Sequence, residues 1–173
     1  MIDVIYRKAQ IQDVLRISVL FKQVYIQTYA TDGITHEFAN FITKKFSREN
    51  IEQTIAAGPD SLIVALYKDN PVGIAEVVYE STCRIGNMVA PELSKLYVLD
   101  RFCGKGIGHG LLLEAEKAVI AKNHHQLWLE VWINNPNAIA FYERQKYACI
   151  GNASFPMEFN TYENKVMRKS FEA

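Results

Sequence analysis

Leu96 to Leu112 reads L-Y-V-L-D-R-F-C-G-K-G-I-G-H-G-L-L, and the arrangement of the chain follows from it. An apolar run enters a turn in which Gly104, Gly106, Gly108 and Gly110 occupy alternate positions, and apolar residues at helical spacing follow. Glycine tolerates positive φ and close backbone approach, which a larger side chain would block. Four of the chain's nine glycines fall here, so the special backbone is concentrated in one place. A strand, a glycine turn and a helix in that order point successive backbone N–H groups into one concavity at the helix N-terminus. Unpaired donors and the helix dipole both favour an anion there. The stretch therefore reads as a phosphate cradle.

The elements on either side can be read from periodicity. Asp3 to Lys8 alternates as a first strand, and Ile11, Val14, Leu15, Ser18, Phe21, Tyr25 and Tyr29 recur at helical spacing. Gly33 breaks that helix; Thr35 is placed to cap a short helix through Phe46, and Ser47 another that stops at Gly58-Pro59. Ser61 to Tyr67 and Val72 to Glu80, joined by K-D-N-P, read as an antiparallel hairpin. Glu92 to Leu99 leads into the glycine turn, His109 to Lys122 is helical, and Gln126 to Trp132 is a β-prone run. This order is a crossover, so the strands before and after the helix should lie parallel. Asn137 to Gln145 is a last helix, and Ala148 to Phe155 with Tyr162 to Phe171 form an antiparallel pair.

Composition bounds the function. With 173 residues, 49% hydrophobic and 22% charged, the chain reads as a single domain, 1–173, with a core large enough to fold unaided. Lys plus Arg equals Asp plus Glu at 19 each, so no global field recruits nucleic acid or an anionic membrane. No signal core opens the chain and no apolar run is long enough to span a bilayer, which makes the cytoplasm the expected compartment. Cys83, Cys103 and Cys149, odd in number, and four histidines lack metal-ligand spacing, so no metal and no disulfide framework is expected.

A lone alternation of glycines is weak evidence, because a dinucleotide fold would place it after the first strand and follow it with an acidic ribose ligand. Here it follows the third strand of the core. In that position Arg101-Phe102-Cys103-Gly104-Lys105-Gly106 resembles the Q/R-x-x-G-x-G/A loop of the GNAT N-acetyltransferase superfamily. Asn135 to Glu143, N-P-N-A-I-A-F-Y-E, is similar to that superfamily's N-x-x-A-x-x-F/L-Y segment on the next helix. The resemblance covers nearly the whole chain and implies an α/β GNAT fold, order β-α-α-β-β-β-α-β-α-β-β, with a central mixed sheet splayed between two strands. Within it, F-K-Q-V-Y-I-Q-T-Y near the start and W-L-E-V-W-I-N-N-P-N-A-I-A-F-Y later look like the PaiA-type polyamine N-acetyltransferases. Two departures stand out: Lys146-Tyr147 occupies the place where many members have Gly-Phe, and Cys103 stands where an Arg or Lys is common.

The resemblance implies an enzyme that moves acetyl from acetyl-CoA to an amine. The diphosphate would be held by the backbone of Gly104, Lys105, Gly106, Ile107, Gly108 and His109, with charge from Arg101 and Lys105. Leu96, Tyr97 and Val98 would pair with the pantetheine amides as an extra strand does, and Asn135 would hydrogen-bond the same arm. Capping of the last helix by Asn135 or Asn137 is the structural alternative. An alkylammonium with a pKa of about 10 must lose a proton before it attacks. Glu92, Glu76 and Glu130 are the strand carboxylates that could take it, and Glu92, next to the cofactor strand, is preferred. Tyr142 matches the family's general acid for the departing thiolate, or else it is a core tyrosine. Tyr25, Tyr29, Glu37, Glu76, Tyr79, Glu80 and Glu130 offer aromatic faces and carboxylates to a cationic acceptor, a polyamine such as spermidine or spermine. The alternatives are a protein or peptide amine, or a non-catalytic acyl-CoA-binding regulatory module. A homodimer is compatible with either class.

Overall fold

The computed structural model describes residues 2–58, 60–157 and 159–171. Strand β1 (Ile5–Lys8) and a 3-10 turn (Ile11–Asp13) precede helices α1 (Val14–Tyr29), α2 (His36–Lys45) and α3 (Arg48–Ala57). Strands β2 (Leu62–Tyr67), β3 (Asn70–Thr82) and β4 (Val89–Val98) follow, then a second 3-10 turn (Asp100–Phe102) and helix α4 (Ile107–Ala121). The chain closes with β5 (Gln126–Trp132), α5 (Pro136–Arg144), β6 (Ala148–Pro156) and β7 (Thr161–Ser170). Among the described residues three helices separate β1 from β2, as the spacing and the two caps lead one to expect, one more than the order implied by the resemblance. The reason is local: Thr35 Oγ1 accepts from the Phe38 amide and Ser47 Oγ from the Asn50 amide, each at 3.2 Å, so each hydroxyl starts its own helix. Pro59, half of the expected stop signal, lies outside the described residues; α3 ends at Ala57.

The chain packs as two compact units, Met1–Glu76 with Lys95–Ala115 and Val77–Ser94 with Glu116–Ala173. In the first, β1 runs antiparallel to β2 from Ile5↔Leu66 to Lys8↔Ile63, and β2 antiparallel to β3 from Leu62↔Glu76 to Tyr67↔Asn70. The hairpin turn is Lys68-Asp69 alone, with φ of 50° and 61°, while Asn70 and Pro71 of the expected K-D-N-P joint are already in β3. Positive φ at both central residues matches the twist of the flanking strands, which explains a two-residue loop here without glycine. Ile17, Phe21 and Val24 of α1 pack with Leu62, Val64 and Leu66 of β2 and with Ile74. Ile63 and Ala65 are buried as well, which is why β2 reads as a continuous apolar run rather than an alternating one. Gly110 of α4 lies against Tyr6, and a Cβ there would collide with the phenol, so any larger residue needs the Tyr6 ring to move.

In the second unit β4 and β5 are parallel with register Glu92↔Trp128, as the crossover requires. Strand β7 lies between β5 and β6, antiparallel to both. Trp128 is buried with Cys83, Ala90, Ala153 and Val166, and its indole N–H donates to the Ala90 carbonyl at 3.1 Å. Strands β3 and β4 run through both units, and the hydrogen-bonded order is β1-β2-β3-β4-β5-β7-β6, a seven-stranded mixed sheet. No helix among the described residues is long and apolar enough to cross a membrane.

One buried charge fixes α1 to β1. Asp13, fully buried, accepts from both Arg7 guanidinium nitrogens at 2.7 and 3.0 Å, from the Gln10 amide at 2.9 Å and from Arg16 at 2.7 Å. Burial alone would raise its carboxyl pKa; the hydrogen bonds from Arg7 and Gln10 and the charges of Arg7 and Arg16 outweigh this and hold it below the ordinary value. A depressed folded pKa contributes stability that is complete above the unfolded value of about 4 and is lost as pH falls through the folded value. Asp13→Asn should therefore cost about 2–3 kcal/mol at neutral pH, since both arginines reach solvent and lose less than fully buried partners would. The loss should shrink below about pH 4. Urea denaturation at pH 7 and pH 3 checks both; an equal loss at the two values would show that the carboxylate charge is not what matters.

Candidate active site

The cradle is built from two kinds of turn. The 3-10 turn after β4 is closed by Phe102 N–H to Leu99 O at 2.8 Å and Cys103 N–H to Asp100 O at 2.9 Å. Gly104 and Gly106 then take φ of 73° and 82°, and α4 begins at Ile107, which is buried as its anchor. A Cβ on either glycine would meet nothing within 4 Å, so left-handed backbone rather than crowding demands glycine, and the space in front of the loop is open. The first helical bond runs from Gly110 N–H to Gly106 O at 3.0 Å. By helix geometry the first-turn amides, including those of Gly108 and His109, have no intrahelical acceptor. Arg101, Lys105 and His109 are exposed. The Lys105 ammonium donates to Arg101 O at 2.7 Å and sits 5.2 Å from the Phe102 ring centre, which keeps its charge beside the loop. Burial, with Asp100 adding to it, raises the Cys103 thiol pKa, so this residue stays a neutral thiol at the place where the family often has a cation. Leu96, Tyr97 and Val98 are half-buried on the same unit, Tyr97 edge-on to Phe21 at 5.8 Å.

Asn135, Tyr142, Glu92 and Glu130 belong to the second unit. Asn135 is the cap of α5: its Oδ1 accepts from the Ala138 amide at 3.1 Å, and Pro136 follows in the first turn. Tyr142 is buried, its ring 5.2 Å from Phe141 and 5.8 Å from Tyr147. The Tyr147 hydroxyl donates to Glu116 at 3.0 Å, and Lys169 donates to both oxygens of the same carboxylate at 2.9 and 2.8 Å. Burial, with Glu116 beside it, pushes the Tyr147 phenol pKa far up, so it remains a neutral donor. Glu92 accepts from the Ser81 hydroxyl at 2.6 Å. Glu130 accepts from the Asn164 amide at 3.0 Å and lies 3.9 Å from Arg84.

The remaining acceptor candidates divide by unit. In the first, Tyr25 packs against Tyr29 at 4.4 Å and among Phe38, Phe41 and Phe46, which makes both tyrosines part of an aromatic cluster under α2. Burial raises the Tyr29 phenol pKa. Glu37 is half-buried in the first turn of α2. Glu76 pairs with Lys95 on the wall of a cavity of about 370 Å³. In the second unit Tyr79 lies 5.9 Å from the His124 ring and 4.4 Å from the Lys122 ammonium, and Glu80 is exposed.

Residues 25–169 match the sequence pattern described as the acetyltransferase (GNAT) domain. The chain belongs to the GNAT acetyltransferase family. The solved structures agree at the level of fold. The PaiA N-acetyltransferase from Thermoplasma acidophilum, solved in complex with coenzyme A, superposes with a TM-score of 0.76 at 22% identity over 98% of this chain and 100% of that one. A ribosomal-protein-alanine N-acetyltransferase from Brucella melitensis gives 0.76 at 20% identity, covering 96% and 99%. An N-acetyltransferase from Staphylococcus aureus Mu50 gives 0.74 at 15%, covering 98% and 99%.

One feature of this GNAT enzyme has no signal in the sequence, and another, at Lys146-Tyr147, is closed more tidily than the missing glycine leads one to expect. Lys95 sits on the core side of β4, in alternation with buried Leu93, and nothing in the sequence distinguishes a core-facing lysine from a solvated one. The second is the end of α5. Lys146 adopts φ 67° with Lys146 N–H to Glu143 O at 2.9 Å and Tyr147 N–H to Tyr142 O at 3.0 Å, a complete Schellman closure without glycine. The ending is as well bonded as one with glycine; the difference is backbone strain on an exposed residue. Lys146→Gly should thus stabilise the protein by about 0.5–1 kcal/mol after the entropy cost of glycine is subtracted. The gain would appear as a rise of roughly 2–3 °C in melting temperature. A fall would mean that the lysine side chain contributes more than its backbone costs.

Proposed function

We propose that this GNAT enzyme works in the cytoplasm as one catalytic domain spanning the chain, transferring acetyl from acetyl-CoA to a primary aliphatic amine. The observation that carries the reading is the open, left-handed glycine loop at the start of α4, whose backbone suits a diphosphate. The N–H groups from Gly104 to His109 would hold that diphosphate, with Arg101 and Lys105 adding charge. The backbone of Leu96 to Val98 would pair with the pantetheine amides, and the Asn135 side-chain amide would donate to the same arm while its oxygen caps α5. Acetyl-CoA supplies an activated thioester. Glu92 would take, directly or through a water, the proton that the ammonium must shed before its nitrogen bonds the acetyl carbon. Tyr142 would give its phenolic proton to the sulfur as the carbon–sulfur bond breaks, so charge does not accumulate on either side of the transfer. Free Cys83, Cys103 and Cys149 suit a reducing compartment.

The polyamine reading rests on sequence resemblance and on the likeness to the PaiA enzyme. The side chains add little to it: Glu76 already meets Lys95, Glu130 meets Asn164 and Arg84, and Tyr25 and Tyr29 are packed among aromatics.

Two substitutions test the mechanism. Gly106→Val forces a β-branched residue into φ 82°, which should cost about 1–2 kcal/mol of stability and also fill the open space before the loop. The folded variant should lose the thermal stabilisation that saturating CoA confers on the parent; retained stabilisation would remove the loop from coenzyme binding. Tyr142→Phe should lower kcat by about 10²-fold or more with little change in coenzyme affinity, since the hydroxyl acts only as charge develops on sulfur. Rapid-mixing turnover separates this from slow product release, and an unchanged chemical step would return Tyr142 to a packing role.

A further inference from the structure

We infer that Ser81 is a positioning residue for the proton-transfer step: its hydroxyl holds the Glu92 carboxylate in the orientation from which that carboxylate takes the amine proton. The inference rests on the acetyltransferase reading above, in which Glu92 is the base, and names the side chain that sets that base in place.

The two side chains meet because of the strands that carry them. Ser81 is near the end of β3 and Glu92 near the start of β4, both in the second unit, and the Cys83 N–H closes the loop between the strands by donating to Met88 O at 2.8 Å. Gly86 and Asn87 take φ of 75° and 50° in that loop, which brings β4 back beside β3. Alternation puts Ser81 on the face of Cys83, and Glu92 on the face of Ala90. Cys83 and Ala90 are buried in one cluster with Trp128, which is also the register partner of Glu92 on β5. Ser81 and Glu92 therefore project from the same face of the sheet, beside that cluster, and the hydroxyl donates to Glu92 Oε2 at 2.6 Å. Both residues are half-buried, so the carboxylate is neither sealed in nor fully solvated.

A length of 2.6 Å is that of a hydroxyl donating to an ionised carboxylate, a stronger bond than one between neutral groups. Apolar packing at its side strengthens it further relative to water. A glutamate ends in a broad torsion that lets its carboxylate rotate. Engaging Oε2 fixes that rotation, and with it the direction of Oε1. The hydroxyl is a neutral donor, so it orders the carboxylate without itself adding positive charge against an incoming ammonium. In the step concerned one N–H bond of the ammonium breaks and one O–H bond forms on Glu92, directly or through a water. The nitrogen keeps the electron pair with which it then attacks the acetyl carbon. A base that is present but misdirected loses much of its effect on rate. The fold depends little on the same bond, because β3 and β4 are already hydrogen-bonded neighbours in the sheet.

Single-turnover acetylation, with the protein saturated in acetyl-CoA and mixed with spermidine or butylamine, reads the chemical step apart from product release. Ser81→Ala should slow that step about tenfold, with the KM for acetyl-CoA unchanged and the melting temperature lowered by no more than about 3 °C. Ser81→Thr keeps the hydroxyl and suits a strand, so it should restore the rate to within about twofold of the parent. Glu92→Gln alone should cost about 10²-fold or more, and adding Ser81→Ala to it should change the rate by less than about twofold, because Ser81 acts only through the carboxylate. An unchanged rate in Ser81→Ala, a threonine variant as slow as the alanine one, or a further tenfold loss in the double variant would each overturn the inference. The same rates keep the two readings apart. Loss in Glu92→Gln without loss in Ser81→Ala leaves Glu92 as the base and removes Ser81 from the mechanism; full activity in Glu92→Gln removes the base assignment and the role of Ser81 with it. A parent that acetylates neither amine overturns the acceptor class and the inference together.

Discussion

Between Val98 and Ile107 the backbone must leave an extended strand, reverse direction and enter a helix. The 3-10 turn closes the first half of that path with two short hydrogen bonds, and left-handed Gly104 and Gly106 complete the second. What the loop presents follows from that path: first-turn amides facing open space, with Arg101 and Lys105 beside them. On the proposed reading, affinity for an anion here would come mainly from backbone groups whose positions are set by the fold and do not have to be ordered on binding. On that reading Cys103 would be tolerated in the loop. The substitution removes one charge and no backbone donor.

Buried charge is the second theme. Asp13 and Glu116 are buried and Glu76 is half-buried on a cavity wall, and each is accompanied by a cation: Arg7 and Arg16, Lys169, and Lys95. A lone carboxylate in these places would be costly; a hydrogen-bonded one is tolerated and directional. The three clusters tie different elements. Asp13 joins β1 to α1, Glu116 joins α4 to β7 and to Tyr147 just past α5, and Glu76 joins β3 to β4. The second supports the helix that carries Tyr142, and the third forms the wall of a cavity.

Much of the fold was legible because its signals are local. Thr35 and Ser47 cap helices as their side chains predict, Gln126 to Trp132 is a strand at the expected bounds, and the crossover between β4 and β5 is parallel. The errors were local too. The hairpin turn is two residues because Lys68 and Asp69 accept positive φ, a conformation that propensity assigns to glycine and asparagine. Lys146 closes α5 in the same way. Backbone strain of this kind is compensated by surrounding hydrogen bonds that a sequence does not display.

The sequence by itself determined the family, the order of most elements, the glycine loop and the tyrosine on the last helix, because each depends on residue type at short spacing. Only the tertiary structure decided which strand carboxylates have partners and which aromatic residues are packing. Alternation says that Glu76 and Glu92 lie on strands, but not that one meets Lys95 and the other Ser81. Tyr25 and Tyr29 are half-buried, Tyr25 packed against Phe38, Phe41 and Phe46 as well as against Tyr29. Helical and strand periods specify which residues share a face; what that face meets depends on residues far away in the chain, and the charge of a pocket is a sum over all of them.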